Sequence, residues 1–497
     1  MFSRLAFSLR NAAIANGRLI SYRGPILLAV AGAVAYTSHT HKFIHADTPS
    51  DDQDDQDDLE RRRADMVAPG GREEFALTEN NSVYYPKGWA GISRHDYNSV
   101  PVSPVGEEHA SFIYCSLPTH DWAFFGVFDG HNGAHTSTYL ADNLVHDMAG
   151  SLADLYSSYI PSSVVGTSTP PSSIRPFPPA LLIDTAIKDT FLRLDSELIN
   201  DAATQALSSP SKDISKNYLA PAISGSFALT AFFESDTRLL RVARTGRSHA
   251  VLGRKVPSSS GERHVYESHS LTSDRIVQSS TEIQQLDEPG TVKTSGTLAV
   301  RNMLGGAITR AFGDGVFKWD APTRQKLQER GLCHDLPASI APNATAEPEI
   351  VTTKVQAGDF VIMATHGFWE CITDEEAVGL VGLWLEKNKV TDSPGMYWDE
   401  ELEIYIETGF RQPDDLSERR VERERLPVKL GPDTTAMYNQ WKTKKKFINI
   451  DSNVAVHLSR NALGGADRDL TAALLNMYHP YAEQFRDDIT IHVVFFE

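Results

Sequence analysis

Short hydrophobic runs recur along most of this chain and are separated by turns rich in glycine, serine and asparagine. The run WAFFGVF at residues 122–128 is uncharged and rich in aromatic side chains, which is typical of a buried strand. Similar runs are FALTAFF at 227–233, FVIMA at 360–364 and IHVVFF at 491–496. Because most runs follow one another through hairpin turns, the pattern favours antiparallel sheets over a doubly wound parallel sheet.

Three longer segments place apolar residues three and four positions apart and are predicted to be helices. They lie near residues 136–155, 181–200 and 374–387. A Ser-, Thr- and Pro-rich stretch near 160–180 and a long stretch at 392–447 interrupt the pattern. We interpret both as insertions within one large domain at residues 76–497.

The first 45 residues are basic and contain no acidic side chain. Their apolar residues recur at roughly helical spacing, between arginines at positions 4, 10, 18 and 23. This pattern predicts a mitochondrial targeting segment that forms a basic amphipathic helix, with a secretory signal as the alternative. The apolar stretch 25–36 is shorter than the roughly 20 residues that span a bilayer, so we expect it to associate with the inner membrane only weakly or peripherally.

Residues 46–75 contain an acidic low-complexity run with almost no apolar side chains. Such a segment cannot bury enough surface to offset the entropy of ordering, which predicts a disordered linker. Over the whole chain of 497 residues, 41% of the residues are hydrophobic, which is typical of a globular protein. The net charge of −18 argues against nonspecific nucleic-acid binding, and the three cysteines form no close pair that would indicate a zinc knuckle.

Candidate chemistry first appears where the run at 122–128 ends, in the sequence DGHNG. Asp129 supplies a carboxylate, Gly130 lets the backbone approach a ligand closely, and His131 titrates near neutral pH. A carboxylate at the end of a rigid strand is one way to present oxygen ligands to a hard cation. The same letters are also common in ordinary turns, so this segment alone leaves both interpretations open.

Other strand ends carry comparable residues. His366 and Gly367 follow the FVIMA run, Asp487 and Asp488 precede the last strand, and the segment RAFGD begins at Arg310 and ends at Asp314. In this order the segments resemble the metal-dependent (PPM, type 2C) protein serine/threonine phosphatases. They are most similar to the mitochondrial pyruvate dehydrogenase phosphatase branch, because of RAFGD with FKW at 317–319, TAEPE at 345–349 and DDIT at 487–490.

The resemblance implies an α+β fold of two stacked antiparallel β-sheets flanked by α-helices on both outer faces. It implies two Mg2+ or Mn2+ ions, with Asp129 bridging both, the Gly130 carbonyl on one and Asp487 on the other. His131 would protonate the leaving oxygen of a phosphoserine or phosphothreonine in a phosphoprotein, which for this branch is the pyruvate dehydrogenase E1 subunit. The remaining residues that the resemblance places in the active-site region are Arg310, Asp314, Gly367 and Asp488, although Arg310 is equally interpretable as a brace for a turn.

The chain departs from the family at three expected acidic positions. In SPVGEEH at 103–109, Gly106 and Glu107 replace a Glu-Asp pair, or Glu107 and Glu108 match it after a shift of one residue. The resemblance makes Glu107 the candidate metal ligand of this segment. His366 replaces an Asp that follows a strand, and Arg247 replaces an Asp in a GDSR-type turn. Losing negative charge at these positions predicts weaker cation binding, with His366 as an imidazole ligand. Two functions therefore remain: a phosphatase with a weakened metal site, or a catalytically inactive pseudophosphatase that acts as a binding or regulatory protein.

Overall fold

The computed structural model describes most of the chain from residue 77 to the C-terminus, and less of the N-terminal part. The described residues are 5–15, 18–29, 33–34, 77, 81–103, 106–116, 121–159, 177–257, 265–272, 310–333, 344–387, 396–399, 404–407, 420–477 and 481–497, with the backbone alone for 5–34, 84–89 and 396–407. The predicted linker at 46–75 and most of the predicted insertion near 160–180 lie outside these residues.

Two large antiparallel sheets dominate the described residues. The first sheet contains β1 (Leu5–Ala15), β2 (Arg18–Ala29), β3 (Ala33–Val34), β6 (Glu108–Ser116), β7 (Asp121–His131), β8 (Gly225–Glu234), β9 (Leu239–Thr245), β12 (Phe312–Gly313) and β13 (Glu349–Lys354). Its strand order is β13-β9-β8-β7-β6-β1-β2-β3, with β12 added alongside β8.

The second sheet contains β4 (Asn81–Trp89), β5 (Ile92–Val100), β10 (His249–Val256), β11 (Val265–Ser270), β14 (Phe360–Ala364), β15 (Met396–Asp399), β16 (Ile404–Glu407) and β19 (Ile489–Phe496). Its order is β11-β10-β14-β19-β5-β4-β16-β15, and a small separate pair is formed by β17 (Arg420–Val421) and β18 (Phe447–Ile448).

Helices cover the outer faces of both sheets. They are α1 (His135–Ser158), α2 (Ala180–Ser208), α3 (Lys212–Ile223), α4 (Ala321–Glu329), α5 (His366–Trp369), α6 (Asp374–Lys387), α7 (Met437–Gln440), α8 (Val454–Ala462) and α9 (Arg468–Asn476). Helices α1 and α2 share a hydrophobic core with the first sheet, and α6 and α8 share one with the second. The predicted fold class is therefore confirmed.

Strand β7 is buried on both faces, which explains its continuous apolar run. Phe125 and Val127 face the core between the two sheets, whereas Phe124 and Phe128 pack against α1 on the opposite face. Because side chains alternate along a strand, only an uncharged sequence satisfies both surroundings. This double burial fixes the position at which β7 ends, and the candidate chemistry lies at that end.

The three predicted helices are confirmed as α1, α2 and α6, with α1 and α2 somewhat longer than predicted. The amphipathic helix predicted for the N-terminal segment is wrong, since residues 5–15 and 18–29 form an antiparallel hairpin whose first strand pairs with β6. The edge of β6 offers unpaired backbone N–H and C=O groups, and β1 forms hydrogen bonds with them. The spacing of apolar residues in the sequence gives no information about such pairing. None of the helices in the described part of the chain combines the length and apolar character needed to cross a bilayer.

Candidate active site

Four strand ends from the two sheets meet at one place. Strand β7 ends beside the start of β6, where Glu108 pairs in register with Asp129. In the second sheet β14 ends next to the start of β19, where Ala364 pairs with Ile491. The His366 backbone N–H donates to Asp129 Oδ2 at 3.1 Å, so the two sheets are joined at these ends.

A threonine strengthens the junction. The hydroxyl of Thr365 donates to Glu108 Oε2 at 2.9 Å and accepts a hydrogen bond from the Thr490 backbone N–H at 2.9 Å. One side chain thus holds a carboxylate of the first sheet and the backbone of the second. Sequence analysis missed Thr365, because its partners lie 257 and 125 residues away in the chain.

The junction encloses an acidic cluster, which consists of Glu108, Asp129, Asp487 and Asp488. Burial raises the pKa of all four carboxyl groups, and repulsion between them contributes for Glu108, Asp129 and Asp487. The pKa of Asp487 rises to about 7, first through burial and then through the charge of Asp129. The two aspartates on which the sequence-based site depends therefore lie within electrostatic reach of each other.

Glu107 and Glu108 have different surroundings. Glu108 lies opposite Asp129, and its Oε1 is buried without a hydrogen-bond partner. Glu107 Oε1 accepts from the Gly133 backbone N–H at 2.9 Å, so Glu107 braces the turn that follows β7. Glu107 is the ligand candidate of the first alignment, but the geometry favours Glu108, which the alternative alignment offers.

Asp488 and two glycines shape the floor of the cluster. Asp488 Oδ2 accepts from the Glu107 backbone N–H at 2.8 Å, and its Oδ1 accepts from Val102 N–H. A Cβ at Gly367 would lie 2.3 Å from the Asp488 carbonyl oxygen, so only glycine allows α5 to approach this turn. A Cβ at Gly106 would lie 2.9 Å from Pro101 Cβ, so a larger residue there would force a shift.

His131 is oriented by a residue distant in the sequence. Its Nε2 lies 2.8 Å from Oδ2 of Asp314, which is almost fully buried. Burial lowers the pKa of His131, but the hydrogen bond and charge of Asp314 outweigh that effect, and the net pKa is raised. A Cβ at Gly225 would lie 2.1 Å from His131 Nε2, so this close packing requires glycine. Asp314 itself adopts a left-handed backbone conformation with φ of 49°, which Asp tolerates better than most residues.

Arg310 lies apart from the acidic cluster. Its Nη1 donates to the Glu347 carbonyl at 3.3 Å and lies 3.8 Å from Glu349 Oε1. Its backbone forms a bridge with Thr345. These contacts favour the interpretation of Arg310 as a brace for its turn.

The two departures that introduce basic residues lie close to the cluster. His366 Nε2 lies 3.4 Å from Glu370 Oε1. Burial lowers the pKa of His366, but the hydrogen bond and charge of Glu370 outweigh that effect and raise it overall. Arg247 acts electrostatically on both His366 and Glu370. Two basic side chains thus lie close enough to the junction to act on its carboxylates electrostatically.

The acidic cluster fits a hard divalent cation in donor type and in burial. Carboxylate oxygens are the ligands that Mg2+ and Mn2+ prefer, and the unpartnered Glu108 Oε1 is a buried acceptor that a cation would satisfy. The fit is incomplete, because no group of three or more His, Cys, Asp or Glu side chains within the described ranges is arranged to hold a metal ion. Binding would therefore require these side chains to rearrange.

Comparisons with known proteins agree with this geometry. Residues 105–400 match the family model for protein phosphatase 2C. A protein phosphatase 2C homolog of Schizosaccharomyces pombe is 30% identical, with 82% of this chain and 81% of the relative covered. Mitochondrial pyruvate dehydrogenase (acetyl-transferring) phosphatase 1 of Saccharomyces cerevisiae is 27% identical over 98% of this chain and 85% of its own length. The human protein of the same name is 25% identical over 82% of this chain and 79% of its own length.

Proposed function

The chain belongs to the protein phosphatase 2C family of serine/threonine phosphatases, and from this premise we propose that it is a mitochondrial, metal-dependent phosphatase of the pyruvate dehydrogenase type with a weakened metal site. The observation that carries the proposal is the convergence of Glu108, Asp129 and Asp487 at the junction of the two sheets. These carboxylates, with the Gly130 carbonyl, would hold the cations.

A divalent cation bound there would lower the pKa of a water molecule and neutralise charge on the phosphoryl group. The protein itself supplies His131, whose raised pKa favours the protonated imidazole that would donate a proton to the leaving seryl or threonyl oxygen. Asp314 holds that imidazole in place through its 2.8 Å contact. The buried surroundings exclude water and strengthen each of these electrostatic interactions.

Arg247 and His366 support the proposal that metal affinity is reduced. Each replaces an acid that the family carries, and positive charge beside the acidic cluster opposes the approach of a cation. We propose that Mn2+ supports activity better than Mg2+, because Mn2+ accepts an imidazole ligand more readily, which the neutral form of His366 would provide.

Two observations support the proposed substrate and location. Relatives over most of the chain are named as mitochondrial pyruvate dehydrogenase phosphatases, which makes a phosphorylated pyruvate dehydrogenase E1 subunit the proposed substrate. The acid-free, arginine-containing first 45 residues support mitochondrial import.

The decisive experiment is hydrolysis of a phosphoserine peptide by the full chain with Mn2+ or Mg2+, compared with Asp129→Ala. We expect Mn2+-dependent turnover that Asp129→Ala abolishes. Equal rates for the two proteins with both metals would overturn the proposal.

The alternative function is a pseudophosphatase that binds phosphoprotein without turnover, and the ion pair between His366 and Glu370 favours it. If these basic residues are what prevents turnover, Arg247→Asp combined with His366→Asp should create Mn2+-dependent activity in an otherwise silent chain. If the double variant gains no activity, the cause of the inactivity lies elsewhere in the site.

A further inference from the structure

Arg247 and His366 lie at the same edge of the second sheet, and we name them the basic edge. In the antiparallel pair of β10 and β14, His249 is in register with Ala364. Arg247 comes two residues before this paired end of β10 and His366 comes two residues after the paired end of β14, so both adjoin the same edge of the sheet. The electrostatic effect of Arg247 on His366 agrees with this placement.

The turn that carries Arg247 is held firmly against the neighbouring helices. His249 Nε2 lies 3.0 Å from Asp374 Oδ1 at the start of α6, and its ring packs edge-on against Trp369 at 4.8 Å. Gly246 has a φ of +97°, and a Cβ there would lie 2.1 Å from the Phe227 ring. The backbone next to Arg247 is therefore fixed by packing on both sides.

The basic edge is accessible and adjoins the acidic cluster. The His366 side chain retains 28% of its exposure and its partner Glu370 retains 32%, and Arg247 is partly exposed. The His366 backbone donates to Asp129 at 3.1 Å, so a group bound at the basic edge would lie directly beside the carboxylates. A phosphate on a protein chain could reach this position without entering the core.

The chemistry of the two side chains suits a phosphate. A guanidinium group offers paired N–H donors that match two phosphate oxygens and keeps its charge at every physiological pH. An imidazole ring adds a further N–H donor. Glu370 Oε1 lies 3.4 Å from the imidazole Nε2 and competes with an incoming anion for that donor.

We propose that Arg247 and His366 form a phosphate-binding subsite, which holds the phosphoseryl or phosphothreonyl group of a protein even when no metal is bound. The subsite deepens the proposed function and rests on it for the choice of a phosphoprotein as ligand. The side chains that depart from the family would then bind substrate where an acid would repel it.

The test is fluorescence anisotropy of the full chain in EDTA with a labelled peptide that carries one phosphoserine between neutral residues, and with its unphosphorylated twin. We expect the phosphorylated peptide to bind about tenfold or more tightly than its twin, because one charge-assisted pair is worth at least that ratio. Arg247→Ala should remove the preference and Arg247→Lys should retain part of it. Excess inorganic phosphate should compete with the peptide.

Arg193→Ala is the matched control, since it removes an exposed arginine that pairs with Asp147 of α1 and Glu197 of α2 and is not part of the proposed subsite. It should leave the preference unchanged. Equal binding of both peptides by the wild-type chain, or an unchanged preference in both Arg247→Ala and His366→Asn, would overturn the subsite. Thermal unfolding of each variant shows whether it is folded. If Arg247→Ala is not folded, the peptide preference of Arg247→Lys decides whether the subsite exists.

Mn2+-dependent hydrolysis by the same preparations separates the two proposals. Phosphate-selective binding in EDTA without any turnover would remove the proposed catalytic function and keep the subsite. Turnover without selective binding in EDTA would remove the subsite and keep the proposed catalytic function.

Discussion

His131 shows how strongly one side chain of this protein depends on distant residues. Its partner Asp314 is 183 positions away, and the glycine that makes room for both is Gly225. His131 lies at the end of β7, opposite Gly225, and Asp314 directly follows β12, so the backbone of two strands positions the pair. The orientation of the proposed general acid is therefore a product of the fold.

Asp314→Asn should lower turnover of a phosphoserine peptide by roughly 10²-fold, the typical contribution of a positioned general acid. Asp314 raises the pKa of His131, so losing its charge should also move the alkaline decline of the activity profile to lower pH. An aryl phosphate with an acidic phenol needs no proton on its leaving group and should be affected much less. Steady-state rates on both substrates from pH 5 to 9 measure these effects.

A double-variant comparison controls that prediction. If Asp314 acts through His131, adding Asp314→Asn to His131→Ala should cause almost no further loss of rate. Additive losses would show that Asp314 has a separate role.

Gly225→Ala should destabilise the folded protein and impair turnover, because the added Cβ would lie 2.1 Å from His131 Nε2 and 2.6 Å from Asp314 Oδ2. We expect a loss of about 1–3 kcal/mol, the usual range for overpacking, measured by urea unfolding. Gly431→Ala is the control, since the nearest atom there is Glu375 Oε1 at an ordinary 3.4 Å. Equal stability of the two variants would contradict the packing argument.

Some residues of the site can be recognised from the sequence immediately around them, and others cannot. Asp129, His131 and Asp487 stand out in the sequence because each lies in a turn next to a hydrophobic run. Glu108 and Glu370 do not, because their importance comes only from neighbours across the sheets or one helical turn away. A single sequence contains no spacing rule for such contacts, so the choice between Glu107 and Glu108 had to await the strand register.

Among the elements, those with one consistent period were predicted correctly. The continuous apolar run of β7 and the three-and-four spacing of α1, α2 and α6 each reflect a single environment along the element. The N-terminal hairpin was predicted wrongly, because its strands form against the edge of β6 and local spacing carries no information about that edge. The proposed division into a targeting segment, a linker and one domain stays a prediction.

Strands β5 and β19 place two histidines in the core between the sheets. His95 Nε2 and His492 Nδ1 lie 2.6 Å apart, and both rings are fully buried. Burial lowers the pKa of both, to about 3 for His492. The folded state thus excludes a proton that the unfolded chain accepts below about pH 6.5.

The contribution of His492 to stability should therefore be complete above about pH 6.5 and should be lost as the pH falls towards 3. We expect the unfolding free energy of His492→Gln to be less sensitive to acid than that of the wild-type chain, by up to about 1.4 kcal/mol per pH unit. Urea unfolding at pH 7, 6 and 5 measures the difference. His269→Gln, at an exposed position, is the control substitution.

At the scale of the whole molecule, the acidic cluster lowers the folding stability of the protein while it provides the proposed cation site. Four carboxyl groups with raised pKa values repel one another when ionised, so the folded state loses stability as the pH rises through their folded pKa values. Assembling such a site costs the apoprotein free energy that a bound cation would return. The same junction that provides the proposed chemistry therefore lowers the folding stability of the metal-free protein.

Asp487→Asn should stabilise the metal-free protein at pH 8 by on the order of 2 kcal/mol, because the buried carboxyl, with a pKa of about 7, is charged there. The advantage should shrink at pH 6, where the proton already neutralises the group. Millimolar Mn2+ should raise the melting temperature of the wild-type chain more than that of the variant. A variant that is less stable than the wild-type chain in EDTA at pH 8 would contradict this account.

The position of β19 in the second sheet has a consequence for synthesis. This strand is formed by the last residues of the chain, yet it lies between β14 and β5 and pairs with both. Because β5 and β14 both precede β19 in the chain, they lack their common neighbour until β19 has been synthesised. A truncation that removes Ile489 onwards would leave the sheet split into two halves.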